Sequence, residues 1–180
     1  MMYGYNYYND TRHKVFFSFY HWDDQGYKNI LDQRFGDSII NKSVMNGEYD
    51  PDNSDAYIKR LIREDKISDS SVIVVLVGPN TKRRKHVDWE IYAGLRGSVN
   101  GNSGLVGVLL PTFPFSYYEA INYANYPARL ADNVKSGYAE IYNWDYFVNH
   151  FETIIQEAFD NRIYRRSKID NSRIQMQRNL

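Results

Sequence analysis

Val72-Ile73-Val74-Val75-Leu76-Val77 is a run of six aliphatic residues, most of them β-branched, with no polar residue between them. A strand with one wet face would alternate. An unbroken run reads as a strand covered on both faces, as at the centre of a parallel sheet. Gly78-Pro79-Asn80-Thr81 ends it, and a helix is predicted from about 84 to 97, with Val87, Ile91 and Leu95 as its apolar stripe. Upstream, a helix over about 54–66 places Ile58, Leu61 and Ile62 on one side. It is preceded by a polar loop from Asn46-Gly47 to Asp50-Pro51-Asp52-Asn53-Ser54, whose end carries helix-capping residues.

Further out the same alternation continues. Lys14-Val-Phe-Phe-Ser-Phe-Tyr20 is a short buried strand, broken by Asp23-Asp24-Gln25-Gly26. Tyr27, Ile30, Leu31, Phe35 and Ile39 then recur at helical spacing over 27–42, interrupted by Gly36. Beyond the turn 97–104, Leu105-Val-Gly-Val-Leu-Leu110 is another buried strand, stopped by Pro111. Residues 111–136 read as irregular, with a short helix near 116–123. Tyr138-Ala-Glu-Ile-Tyr142 reads as an edge strand, and 145–165 as a last helix with Phe147, Phe151, Ile154, Ile155, Ala158 and Phe159 inward. Residues 1–13 read as an arm, 14–165 as one domain, and 166–180 as a polar tail expected to fray. Strands alternating with helices imply right-handed βαβ units and a parallel sheet with helices on both faces. Ligands of such folds bind beyond the C-terminal ends of the strands. Three places qualify: residues 18–26, the loop 45–54, and 78–90.

Composition narrows the function. The 180 residues suffice for one domain, and 43% are hydrophobic, enough for an ordinary core. Lys+Arg and Asp+Glu balance at 22 each, so net charge indicates neither nucleic acid nor an anionic membrane as partner. There are 0 cysteines, which excludes disulfides, thiolate zinc sites and a cysteine nucleophile. The start MMYGYNYYND does not read as a signal peptide, and no apolar stretch approaches the ~20 residues needed to cross a bilayer. A soluble cytoplasmic protein is expected. The 17 tyrosines can line a pocket or an interface, or reflect an AT-rich coding sequence.

Glu90 stands out by position. It lies near the start of the helix from 84, rotated about 100° from Ile91, so it flanks the sheet-facing stripe. His86, four residues earlier, is on the same side and can hydrogen-bond it. Position alone leaves open an exposed Glu favoured by the helix dipole, and a plain surface His. Ser18, Phe19, Tyr20, His21, Trp22 and Asp23, with Phe17 beside them, can wrap a ligand, or Phe17 and Phe19 serve as core residues and the rest as a solvent-facing turn. Strand alternation puts Phe17 and Phe19 on one face and Phe16 and Ser18 on the other. Asp50 and Ser54 can reach a sugar hydroxyl, or simply cap a helix. Lys82, Arg83 and Arg84, followed by Lys85, are cations beside a helix N-terminus, where the dipole prefers anions. They are phosphate candidates or a solvated turn. There is no G-x-G-x-x-G and no P-loop, and the histidines at 13, 21, 86 and 150 have no i, i+4 pair, so no metal site is expected.

Four stretches together resemble the TIR-like domains of bacterial antiviral defence, in particular the ThsB-like TIR proteins of Thoeris systems. They are Lys14-Val-Phe-Phe-Ser-Phe-Tyr-His21, the segment SDAYIKRLIREDKISDSSVIVVLV at 54–77, Gly78-Pro-Asn-Thr-Lys-Arg-Arg-Lys-His-Val-Asp-Trp-Glu-Ile91, and Gly104-Leu-Val-Gly-Val-Leu-Leu-Pro111. Many TIR domains place Trp four residues before the catalytic Glu; here 86 is His, and Trp89 directly precedes Glu90. The resemblance implies an α/β, flavodoxin-like (TIR-like) sheet flanked by helices on both faces. It implies cleavage of the nicotinamide–ribose bond of NAD, as substrate and not as a permanently bound cofactor. The ADP-ribose part would become a cyclic or conjugated signal that activates a separate effector. Glu90 would be catalytic, with Trp89, His86 and the segment 17–21 near the substrate. A phage-derived trigger and a homo-oligomer are further partners it allows. Nicotinamide leaves as a neutral molecule, so one carboxylate that steadies the developing ribose cation can suffice. Two other readings stay open: a non-enzymatic TIR-like interaction module, and an enzyme that transfers bases between nucleosides or nucleotides.

Overall fold

A computed structural model of the chain describes residues 12–43, 64–98, 101–114 and 122–180. Its centre is an all-parallel sheet in the order β2-β1-β3-β4-β5, formed by β1 His13–Ser18, β2 Ile39–Asn41, β3 Val72–Val77, β4 Gly104–Leu109 and β5 Glu140–Asn143. This is the flavodoxin-like strand order. The aliphatic run 72–77 is its middle strand, and all six residues are buried.

Helices cover both faces, as the unbroken run requires. On one face α1 His21–Phe35, α4 Trp144–Asn149 and α5 Phe151–Tyr164 bury Leu31, Phe147, Phe151, Ile154 and Ile155 against Val15, Phe17, Val74 and Val106. On the other, α2 Lys85–Leu95 and α3 Ala128–Ser136 bury Val87, Ile91, Leu95 and Leu130 against Phe16, Ile73, Val75 and Leu105. The predicted stripe of α2 is the buried one. Gly104 lets α5 lie directly on β4: a Cβ there would sit 2.1 Å from the Ala158 carbonyl oxygen.

Several boundaries differ from expectation. Residues 23–26 do not break the chain; they belong to α1, which starts at His21, and Asp23 and Asp24 sit in its first turn, where the dipole favours acids. That helix stops at Phe35, before Gly36, and Ile39–Asn41 is an edge strand, not a helix end. The last predicted helix is two, divided at His150. The tail, expected to fray, is instead bonded back onto the domain. Asp170 N–H donates to Asn133 Oδ1 (3.0 Å), Met176 N–H to Asp88 Oδ2 (2.9 Å) and Leu180 N–H to the Arg83 carbonyl (3.0 Å). Residues 64–68 are helical. The rest of the predicted helix 54–66, residues 116–121 of the short predicted helix, and most of the arm 1–13 lie outside the described residues. Among the described residues no helix is long and apolar enough to cross a membrane.

Candidate active site

Because β1 feeds α1 on one face and β3 feeds α2 on the other, the chain divides above the C-terminal ends of β1 and β3. That division is where open α/β sheets bind ligands. Ser18 is the last residue of β1, and alternation turns it toward the α2 face, opposite Phe17 and Phe19. Its hydroxyl donates to Glu90 Oε2 at 2.5 Å. Ser18 is 0% exposed and Glu90 3% exposed. The surface reading of Glu90 is therefore excluded. A carboxyl group buried this deeply needs hydrogen-bonding partners, since leaving one without them costs several kcal/mol.

The surroundings are aromatic and cationic. His86 Nε2–H donates to the Phe19 carbonyl at 3.0 Å, tying the start of α2 to the chain leaving β1. The His21 ring lies 4.3 Å from Phe19 and 6.3 Å from His86, centroid to centroid. The Arg84 guanidinium stacks 3.7 Å over the Tyr20 ring, and its Nε has no hydrogen-bond partner among the described residues. Ser18, Phe19, Tyr20, His21, Arg84, His86 and Glu90 thus share one corner. Phe17 and the Phe19 ring belong to the core of the α1 face.

Other expected site residues lie elsewhere. The Trp89 indole N–H donates to the Met176 carbonyl at 2.8 Å, so this ring faces the tail. Lys82 Nζ is bonded to the Ala124 carbonyl and Asn125 Oδ1, both at 3.1 Å, and Arg83 is exposed. Asp50 and Ser54 lie outside the described residues. No group of three metal-binding side chains occurs among the described residues.

Asp24 was not anticipated. It is 1% exposed, and its carboxyl abuts the turn that follows β3: a Cβ on Gly78 would lie 2.4 Å from Asp24 Oδ1. Thr81 Oγ donates to Asp24 Oδ2 at 3.2 Å while accepting the Gly78 N–H at 2.8 Å. Oδ1 has no partner among the described residues. Burial is the main cause that pushes this carboxyl up to about 6, and neighbouring Asp23 adds to it. The sequence signal is an acidic pair a few residues after a buried strand, which resembles a turn as much as a helix start.

The helix carrying Glu90 is held from behind. Asp88, 4% exposed, accepts Arg129 Nε at 2.9 Å. Arg129, 0% exposed, also donates to Asn171 Oδ1 at 2.9 Å and the Arg173 carbonyl at 2.8 Å. Lys85 N–H, at the start of α2, donates to Asn179 Oδ1 at 2.9 Å. The tail therefore caps and braces α2.

Comparison with known proteins agrees with this architecture. A family model described as Thoeris protein ThsB, TIR-like domain, matches residues 16–113. No curated protein matches the chain. The matched span runs from β1 through β4 and contains Ser18, Asp24, His86 and Glu90, and it covers more than half of the chain. The chain belongs to the TIR-like domain family of the Thoeris protein ThsB, a family of antiviral defence.

Proposed function

We propose that this protein is an NAD-consuming enzyme that cleaves the nicotinamide–ribose bond and converts the remainder into an ADP-ribose-derived signal in antiviral defence. The observation that carries the reading is the buried Glu90 carboxyl, hydrogen-bonded by Ser18 above the division between β1 and β3. In this account Glu90 stabilises the cationic ribose as neutral nicotinamide departs. Ser18 fixes the carboxylate's rotamer, so no reorganisation is needed as charge develops. His86 and the Phe19 carbonyl hold α2 against the β1 end. Arg84, whose guanidinium stacks on Tyr20, would meet a phosphate of the substrate. Partial exclusion of water would favour transfer to a hydroxyl of the same molecule or to a second nucleotide over hydrolysis. The product would diffuse to a separate effector.

Incubating the purified chain with NAD and measuring free nicotinamide tests this. Release by wild type and its loss in a folded Glu90→Gln variant are expected. A second reading, a non-enzymatic assembly module, is favoured by Trp22, which is 86% exposed on α1 beside the site. It predicts that Trp22→Ala disrupts self-association, with NAD untouched by either protein.

A further inference from the structure

A cleft opens at the end of the sheet opposite the Glu90 corner, where β1 and β3 begin. It has a volume of about 390 Å3 and is lined by residues from three segments, among them Arg12 and His13 of the β1 start, Ser71 before β3, and Phe159 and Arg162 of α5. β1 spans six residues, so the cleft lies roughly 20 Å from Ser18 and Glu90.

Its electrostatics are one-sided. Asp69 also lines it, but that carboxylate is bonded by Lys14 at 2.5 Å and Lys42 at 2.6 Å, and the two lysines hold it below the usual carboxylate range. Neither Arg12 nor Arg162 has a carboxylate partner among the described residues. The Arg162 guanidinium is stacked 3.9 Å over Phe159, which fixes its plane, and its Nε–H has no acceptor among the described residues. On the other side Phe159 meets the His13 ring at 4.3 Å, and His13 is bonded to Gln156 at 2.8 Å. Two guanidinium groups without a carboxylate partner among the described residues, one of them oriented by stacking, suit the fork geometry of a phosphate. The volume is within the range of small-molecule sites and far exceeds a bare phosphate ion.

We propose that this cleft binds a phosphomonoester of mononucleotide size, its phosphate held between Arg12 and Arg162. The site is independent of the NAD reading, since it shares no residue with the Glu90 corner. Calorimetric titration of the full chain with AMP, adenosine and inorganic phosphate tests it. AMP should bind at least about tenfold more tightly than either adenosine or phosphate, because only AMP offers both the charge and the size. An Arg12→Gln/Arg162→Gln double variant with unchanged circular dichroism should lose AMP affinity about tenfold or more, and Arg12→Lys/Arg162→Lys should recover part of it. Arg12→Gln alone, at an exposed position, should weaken AMP in the same direction. The His13 ring resonances should shift as AMP is added. AMP affinity unchanged in the Gln variants would place AMP elsewhere and overturn the proposal. So would adenosine or inorganic phosphate binding as tightly as AMP, or no AMP binding up to millimolar concentration.

Discussion

Replacing Asp24 by Asn should stabilise this protein at neutral pH and leave it unchanged in acid. The buried Asp24 carboxyl has a pKa of about 6, against 3.8 in the unfolded chain. Well below pH 3.8 both states are protonated and burial carries no electrostatic penalty. Between there and about 6 the folded state binds more protons than the unfolded one, so stability falls as pH rises. Above 6 the full penalty is present. At about 1.36 kcal/mol per pKa unit it is about 3 kcal/mol. Asparagine has the same shape, can still accept the Thr81 hydroxyl, and never ionises. The difference in unfolding free energy between the Asp24→Asn variant and wild type should therefore grow by about 3 kcal/mol from roughly pH 3 to pH 7.5. For a chain of this size that is roughly 6–12 °C in Tm. Thermal denaturation of both proteins across this range measures it. Because groups remote from position 24 titrate alike in the two proteins, the difference isolates Asp24 and its coupling to Asp23. A difference flat with pH, or one that favours wild type more as pH rises, would refute the reasoning.

Ser18→Ala removes the hydroxyl that donates to the buried Glu90 carboxyl, and should cost about 2 kcal/mol in denaturant unfolding and at least about tenfold in nicotinamide release. Arg129→Met leaves the Asp88 carboxylate buried without its cation and should destabilise by roughly 3–5 kcal/mol; adding Asp88→Asn should restore part of this in the same urea titration. Removing residues 171–180 should bare Trp89, read as a red shift of its fluorescence in a Trp22→Phe/Trp144→Phe background.

Elements whose burial is continuous were legible in the sequence. The run 72–77 announced a central parallel strand, and Val87, Ile91 and Leu95 gave the inward face of α2, which in turn placed Glu90 beside that face. Alternation along β1 separated Ser18 from Phe17 and Phe19, and the structure keeps that separation. What stayed hidden depends on contacts between distant segments. Three residues of β2 are too few to show periodicity next to a helical pattern. The bond between Asp24 and the Thr81 turn spans 57 positions. The tail is polar over most of its length, so hydropathy gives no hint that Asn171, Met176 and Asn179 bond across α2. The resemblance implies Trp89 near the substrate, but neighbours on a helix point about 100° apart, so a residue next to Glu90 does not share its direction, and the indole faces the tail.

The central claim is that the Glu90 carboxylate performs the chemistry. Mass spectrometry of nucleotides from phage-infected cells carrying either wild type or Glu90→Gln, at matched protein levels, tests it most directly. The account predicts an ADP-ribose-derived nucleotide with wild type and none with the Gln variant. Equal amounts of that nucleotide in both cultures would contradict it.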